Sequence, residues 1–281
     1  MGWAGRLDLA YRSEPWHDGA TRTVLASRHA GPLRVLASLY PETAAVCHNV
    51  IVHPPGGIVG GDTLRIDATL GRGAHALVTT PGATRFYRSA GEAACQSVEA
   101  RVDTDARLEW LPLETIVHAG ALAENRLRFS LAPGAEMIGW DVLALGLPAS
   151  GEPFDRGRCT QSIELPGVWL ERALLDGADR RLFESPLGWN GQAVLATMWF
   201  GAGTPLAEAR RDALLGAARD AAGASPLAAS AGASAAHAEV VVLRALAPRV
   251  EPALALFARA WAAWRALAWR LPPCAPRVWR T

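Results

Sequence analysis

Residues 64–73 read LRIDATLGRG, an alternation of apolar and polar side chains that ends at a glycine turn. A strand with one buried face requires this alternation. Residues 126–131, RLRFSL, repeat the pattern ahead of Pro133-Gly134. Shorter apolar runs bounded by turn residues predict further strands at 33–40, 48–52, 74–79, 96–102, 107–111, 136–145, 159–165, 168–175 and 193–199.

The turn signals recur along the chain. They fall at Gly71–Gly73, Asp103–Asp105, Pro133-Gly134 and Pro166-Gly167, a spacing of roughly thirty residues that is typical of repeat architectures. Helical segments do not separate the strands, which argues against a parallel α/β fold. We therefore predict a mainly β protein, a β-helix-like or solenoid stack of many strands with a few C-terminal helices. A β-sandwich remains the alternative.

The C-terminal part changes character. We expect a helix over 205–222 with Thr204 as its N-cap, then a mobile Ala/Gly/Ser-rich loop over 223–236 and a strand at 240–243. These boundaries divide one domain, 1–281, into a β body of about 1–200 and a C-terminal part of about 204–272.

A second helix is predicted over 252–271, with residues 277–281 as a tail. Phe257, Trp261 and Trp264 share one face of this helix. This stripe either packs on the protein's own β body or forms a partner-binding surface.

Composition excludes several classes of function. The chain has 281 residues, a net charge of +1 and 28 basic residues, all of them arginine, so lysine chemistry such as Schiff-base catalysis is ruled out. Balanced charge argues against nucleic-acid or membrane partners. Four scattered cysteines, the absence of a signal-like apolar N-terminus and the arginines within 253–271 favour a soluble, cytoplasmic protein.

The densest motif is HPPGGIVGGD at 53–62, a rigid loop built on Gly56, Gly57, Gly60 and Gly61. It presents His53 and Asp62 at its two ends. These side chains are candidate ligands for a divalent metal such as nickel, although Asp62 can equally cap turn amides.

A polar segment, TTPGATRFYRS, follows at 79–89. Thr80, Arg85, Tyr87 and Arg88 are candidate loop and interface residues within it. The two arginines could clamp a carboxylate from a partner or from the same chain.

Three carboxylates stand inside apolar strands, at Glu109, Asp141 and Glu171, each near a tryptophan. A buried carboxylate is costly unless it is paired, hydrogen-bonded or metal-bound, so these residues suggest a polar channel. Plain alternation onto a solvated face is the alternative reading.

Catalytic templates are missing: the sequence has no GxSxG, HExxH or EF-hand motif. Glycoside cleavage depends on the distance between two carboxylates, which a sequence does not give. A β-solenoid polysaccharide hydrolase or lyase therefore remains the alternative function.

In HPPGGIVGGD (53–62), GAHALVTTPGATRFYRS (73–89), LEWLPLETIVHAGA (108–121), IGWDVLALGLPASGE (138–152), LERALL (170–175) and SPLG (185–188), the chain resembles the UreD (UreH) family of urease accessory proteins. The resemblance covers about residues 10–200 and implies a β-helix-like, non-enzymatic scaffold. Its implied partners are UreF, the GTPase UreG and the urease apoprotein, in a dimer of heterotrimers.

The resemblance also implies that no cofactor is bound stably and that Ni²⁺ is in transit through a polar tunnel. Asp62, Asp141 and Glu171 fall in matching segments and are its candidate lining, joined by Glu109 and His53. Asp141 stands where glutamate is usual. Carboxylates hold Ni²⁺ loosely enough to release it.

Overall fold

The computed structural model describes residues 2–280, which form two large β-sheets and three α-helices. The strands are β1 (Ala4–Pro15), β2 (Thr21–Ala30), β3 (Arg34–Val35), β4 (Val46–Val52), β5 (Thr63–Leu70), β6 (His75–Thr79), β7 (Thr84–Phe86), β8 (Ala94–Val102), β9 (Arg107–Trp110), β10 (Thr115–Val117), β11 (Leu122–Leu131), β12 (Glu136–Leu145), β13 (Arg158–Leu165), β14 (Trp169–Asp176), β15 (Val194–Ala202), β16 (Ala231–His237) and β17 (Val240–Ala247). The helices are α1 (Arg180–Glu184), α2 (Glu208–Gly223) and α3 (Val250–Trp269).

The chain winds between the two sheets. Sheet 1 has the strand order β14-β13-β11-β8-β5-β1-β2, and sheet 2 runs β16-β17-β15-β12-β9-β6-β4-β3. From β4 to β13 the long strands alternate between sheets, and neighbours within each sheet are parallel. This winding forms a β-solenoid-like stack of about 4 turns. The predicted mainly β solenoid is confirmed, and the sandwich alternative is wrong.

The strand register explains the repeat in the sequence. Thr63 pairs with Cys95, an offset of 32 residues, and Ala94 pairs with Ala123, an offset of 29. One turn of the stack therefore takes roughly thirty residues, as the turn spacing predicted.

Three of the four turn signals stack on one another, because each joins a sheet 1 strand to the next sheet 2 strand. The Gly73 amide donates to the Thr104 carbonyl at 3.2 Å, and a Cβ on Gly134 would lie 3.0 Å from the Asp105 carboxylate. The fourth signal, at 166–167, instead makes the antiparallel β13–β14 hairpin that ends the parallel stack.

Several boundary predictions are wrong. Segment 33–40 is strand only at Arg34–Val35, and α2 begins at Glu208 after Ala207, without a side-chain cap from Thr204. Segment 223–236 is ordered: it ends α2, turns, and forms β16 on the edge of β17. Ala, Gly and Ser disfavour a strand locally, yet an available sheet edge overrides that preference.

The second helix is α3, which packs with α2 on the outer face of sheet 2. Phe257, Trp261 and Trp264 are all buried there. The stripe therefore packs on the protein's own β body, and its side chains are not exposed to a partner in this conformation.

The predicted tail is also wrong for residues 277–280, which form a short 3-10 turn. The ring of Trp279 lies 5.4 Å from that of Trp261 and 5.1 Å from that of Trp140. Residue 281 lies outside the described residues. Within 2–280, no helix is both long enough and apolar enough to cross a bilayer.

Candidate functional site

The glycine-rich loop at 53–62 is pinned to β7. The Ile58 amide donates to the Arg85 carbonyl at 2.7 Å, and the Tyr87 amide donates back to the Ile58 carbonyl at 2.9 Å. A Cβ on Gly57 would collide with the Tyr87 ring, and one on Gly60 would collide with a neighbouring serine hydroxyl. Close approach of backbone to side chains therefore requires glycine here.

At the two remaining loop glycines, it is the backbone conformation that requires glycine. Gly56 has a φ of +78° and Gly61 a φ of +91°, in the left-handed region that side chains other than glycine rarely adopt. The loop is thus fixed at both ends of its turn.

Both carboxylate oxygens of Asp62 accept hydrogen bonds from backbone amides. Oδ1 accepts from the Trp3 amide at 2.7 Å and Oδ2 from the Val59 amide at 3.0 Å. His53, at the other end of the loop, lines a cavity, and its pKa is lowered by burial against a smaller opposing effect of the Asp62 charge. The structure therefore gives Asp62 a turn-capping contact and leaves His53 facing open space.

That cavity lies between the two sheets and has a volume of about 280 Å³. Its outer wall is formed by His53, Gly56, Gly57 and residues 80–85, and it is lined further in by Trp110 and Asp141. Asp141 is only 5% exposed. The cavity thus connects the glycine-rich loop to a buried carboxylate.

A row of amide side chains surrounds that carboxylate. Gln96, Asn125 and Gln161 occupy paired positions on β8, β11 and β13 and point inward from sheet 1. Asn125 Nδ2 donates to Asp141 Oδ1 at 3.2 Å, and Gln161 Nε2 donates to Asp141 Oδ2 at 2.8 Å. Gln96 Nε2 donates to Asn125 Oδ1 at 3.2 Å and extends the row toward the cavity.

Sequence reasoning missed this row. Each of the three amides stands at an inward position of its strand, where the alternation calls for an apolar residue. That departure from the pattern is the signal that could have identified the row. Two buried polar atoms beside the cavity also have no hydrogen-bond partner among residues 2–280: Gln161 Oε1 and Trp110 Nε1.

The folded structure raises the pKa of Asp141 and so favours its protonated form. Burial raises its pKa to about 7, the negative charge of Glu171 adds to the rise, and the hydrogen bond from Asn125 opposes it. Near neutral pH this carboxyl group can therefore exist with or without its proton.

Glu171 lies at the edge of the inter-sheet space, close to Asp141. Its Oε1 accepts from the Thr197 hydroxyl at 2.8 Å and its Oε2 from Arg244 Nε at 2.6 Å. Thr197 is also the register partner of Asp141 on the next strand of sheet 2. Arg244 and Glu171 therefore form an ion pair beside the Asp141 carboxyl group.

Glu109 does not line the cavity. It is fully buried on the other face of sheet 2, where it contacts His75 Nε2 at 2.7 Å, Trp261 Nε1 at 2.5 Å and Arg265 Nε at 3.3 Å. Arg265 also bonds Glu42 at 2.7 Å. These contacts tie α3 to the solenoid.

The candidate arginine clamp is divided between two cavities. Arg85 lines the inter-sheet cavity, whereas Arg88 lines a separate polar one with Tyr87 and His118. They therefore do not converge on one carboxylate. Thr80 fixes the cavity wall, since its hydroxyl donates to the Gly82 carbonyl at 3.0 Å.

No group of three or more His, Cys, Asp or Glu side chains within residues 2–280 is placed to hold a metal ion. A cation in the cavity would meet the Asp141 carboxylate, neutral oxygen atoms and, at the outer wall, the His53 imidazole beside the positively charged Arg85. Such a set suits weak, exchanging coordination rather than a closed metal site.

A family model described as UreD urease accessory protein matches residues 4–280. The chain is 60% identical over 281 residues to the urease accessory protein UreD of Leptothrix cholodnii and 57% identical over 281 residues to that of Variovorax paradoxus, with 100% of each chain covered. It is also 57% identical over 300 residues to that of Methylibium petroleiphilum, again with full coverage.

Proposed function

The chain belongs to the UreD family of urease accessory proteins and therefore has a role in urease maturation, and we propose that within this role it is a non-catalytic scaffold that passes nickel toward the urease active site. The observation that carries the proposal is the cavity between the sheets, which runs from the loop at 53–62 to Asp141. Nickel is the cargo here, not a resident cofactor.

The amide row gives the cavity chemistry suited to a passing cation. Amide oxygens of Gln96, Asn125 and Gln161 can replace water around Ni²⁺ once the amides rotate, and the Asp141 carboxylate supplies one negative charge. One carboxylate and neutral oxygens bind Ni²⁺ less tightly than histidine or cysteine clusters do. The cation can therefore leave as well as enter.

Asp141 also couples cation entry to proton release. A cation that binds this carboxylate must displace its proton, and a pKa of about 7 keeps that exchange balanced near neutral pH. Glu171, already paired with Arg244, raises this pKa without competing strongly for the cation.

The proposed partners are UreF, through it the GTPase UreG, and the urease apoprotein, in a dimer of heterotrimers. The family relationship supports a role beside urease and its accessory proteins, and the individual partners and the stoichiometry belong to the proposal. Cys47, Cys95, Cys159 and Cys274 are free thiols, which fits the reducing cytoplasm in which we propose that the assembly works.

The polysaccharide hydrolase or lyase alternative is less well supported. It calls for an open groove with several exposed aromatic side chains. The lining of the inter-sheet cavity contains one aromatic residue, Trp110, and the most exposed tryptophans, Trp3 and Trp16, lie outside it.

The test is co-expression of Asp141→Asn with UreF, UreG and the urease apoprotein. We expect the same complexes by size-exclusion chromatography, but less nickel in the purified urease and proportionally less urease activity. Asp155→Asn, an exposed aspartate outside the inter-sheet cavity, is the matched control. Normal nickel content with Asp141→Asn would refute the path, whereas failure of the wild-type chain to join any complex would refute the scaffold role.

A further inference from the structure

The outer face of sheet 1 carries paired charges. On the parallel strands β1, β5, β8, β11 and β13, each outward arginine has a carboxylate neighbour. The pairs include Arg6–Asp8 at 2.9 Å, Arg65–Asp67 at 2.7 Å, Arg101–Glu99 at 2.7 Å, Arg128–Glu164 at 2.6 Å and Arg158–Asp176 at 3.1 Å. A face of this kind is well solvated and presents no apolar patch.

β14, the last strand of sheet 1, departs from this pattern. Leu170 and Leu174 point outward and each is 60% exposed. Their register neighbours on β13 are Glu164 and Thr160, which are polar like the other outward residues described for this face. Large exposed leucines on an otherwise charged face are the feature that marks an interaction surface.

The residue between the two leucines is Arg172, which is exposed and faces the same way. Its register neighbour is Ser162, and no carboxylate within residues 2–280 pairs with it. This arginine therefore differs from those on the five parallel strands of the face. A carboxylate supplied from outside would complete its pairing.

β14 is also an edge strand. It pairs with β13 on one side, and no described strand pairs with its other side. The backbone N–H and C=O groups on that side form a template for another strand. We call Leu170, Arg172, Leu174 and this free backbone the β14 edge.

We propose that the β14 edge binds an extended segment of a protein partner in urease maturation, which pairs as an additional strand and places an apolar, an acidic and an apolar side chain beside Leu170, Arg172 and Leu174. Strand addition satisfies the free backbone groups, and the alternate side chains give the specificity. This inference rests on the proposed function only in that the partner is a member of the maturation assembly; it is independent of the nickel path.

A second copy of this chain fits the edge less well. In an antiparallel pairing that sets Leu170 against Leu174 of the copy, the two Arg172 side chains lie directly opposite each other. Like charges directly opposite across a strand pair are destabilising. The charge pattern therefore favours a different, acidic partner.

The experiment measures hydrogen exchange of the amides of residues 169–176 in the full chain alone and in complexes with UreF–UreG and with the urease apoprotein. We expect at least tenfold slower exchange of these amides in one of the two complexes. The double variant Leu170→Ser/Leu174→Ser and the single variant Arg172→Glu should each weaken that complex at least tenfold without lowering the melting temperature. Leu267→Ser, an exposed leucine on α3, is the matched control.

Unchanged exchange in both complexes, together with unchanged affinity of both variants, would overturn the proposal. Self-association of the wild-type chain that both variants abolish would overturn the choice of partner. Failure here is distinguishable from failure of the nickel path, because Asp141→Asn is expected to leave the complexes intact while the β14 variants are expected to weaken them.

Discussion

Replacing Asp141 by asparagine should make the protein more stable, and the gain should grow with pH. Burial and the nearby Glu171 charge raise the pKa of Asp141 to about 7 in the folded state. In the unfolded chain this carboxyl group has its ordinary value near 3.8. The folded state therefore binds the proton more tightly than the unfolded state does.

The sign of the effect follows from that difference. Below pH 4 the group is largely protonated in both states and costs little stability. Between pH 4 and 7 the unfolded state ionises while the folded state does not, so stability is lost as pH rises. Above pH 7 both states are ionised and the loss is constant.

The magnitude follows from about three pKa units, which correspond to roughly 4 kcal/mol lost at pH 8 and less than about 1 kcal/mol at pH 4. Asparagine has a similar shape and does not titrate. A rotated Gln161 amide can accept a hydrogen bond from it through Oε1, which is buried and lacks a partner within residues 2–280.

The assay is urea unfolding of the wild-type chain and Asp141→Asn, each in its complex with UreF if the isolated chain is poorly soluble, at intervals from pH 4 to pH 8. The free energy of unfolding of the wild type should fall relative to the variant across pH 4 to 7. Asp155→Asn should follow the wild type. Parallel pH profiles for wild type and Asp141→Asn would refute the raised pKa and the proton–nickel exchange built on it.

Three further outcomes follow from the packing. Gly57→Ala forces a methyl group into the Tyr87 ring and should lower the free energy of unfolding by about 1–3 kcal/mol in urea titrations. Arg265→Met leaves two buried glutamates without their cation and should cost about 3–5 kcal/mol in the same assay. Glu171→Gln removes the charge that helps to raise the pKa of Asp141, so carbon NMR of the Asp141 carboxyl group should show a lower titration midpoint.

Each of these variants has a matched control. For Gly57→Ala the control is Gly82→Ala, which adds a methyl group in open space. For Arg265→Met it is Arg259→Met, which alters an exposed arginine of α3. For Glu171→Gln it is Glu14→Gln, which removes an exposed carboxylate near the end of β1, outside the inter-sheet cavity. Full stability of Gly57→Ala would contradict the close approach of the loop to Tyr87. A cost below about 1 kcal/mol for Arg265→Met, or an unmoved Asp141 midpoint in Glu171→Gln, would contradict the electrostatic arguments.

Prediction from sequence succeeded where the cause was local. The alternation at 64–70 and the turns at 71–73, 103–105 and 133–134 depend on residues close together in the chain, and the structure has strands and stacked turns there. Prediction failed at 223–236, where small residues gave no strand signal and the edge of β17 supplied the pairing.

The candidate site divides in the same way. The sequence alone marked the loop at 53–62, because its prolines and glycines admit few conformations. It also marked Asp141, because a carboxylate inside an apolar strand stands out. It could not separate Asp141 from Glu109, which lies on the opposite face of sheet 2 against α3.

The physical reason lies in sheet 2 itself. The solenoid interior covers one face of this sheet and the helices cover the other, so β12 is buried at nearly every position. Its sequence therefore lacks the apolar–polar alternation that would show which face of the sheet each side chain lies on. Stacking of turns roughly thirty residues apart then brings Gln96, Asn125 and Gln161 onto one row beside Asp141. Sequence determined where most of the solenoid strands lie and which carboxylates stand inside apolar strands. Only the register of the stacked strands decided which of those carboxylates faces the cavity.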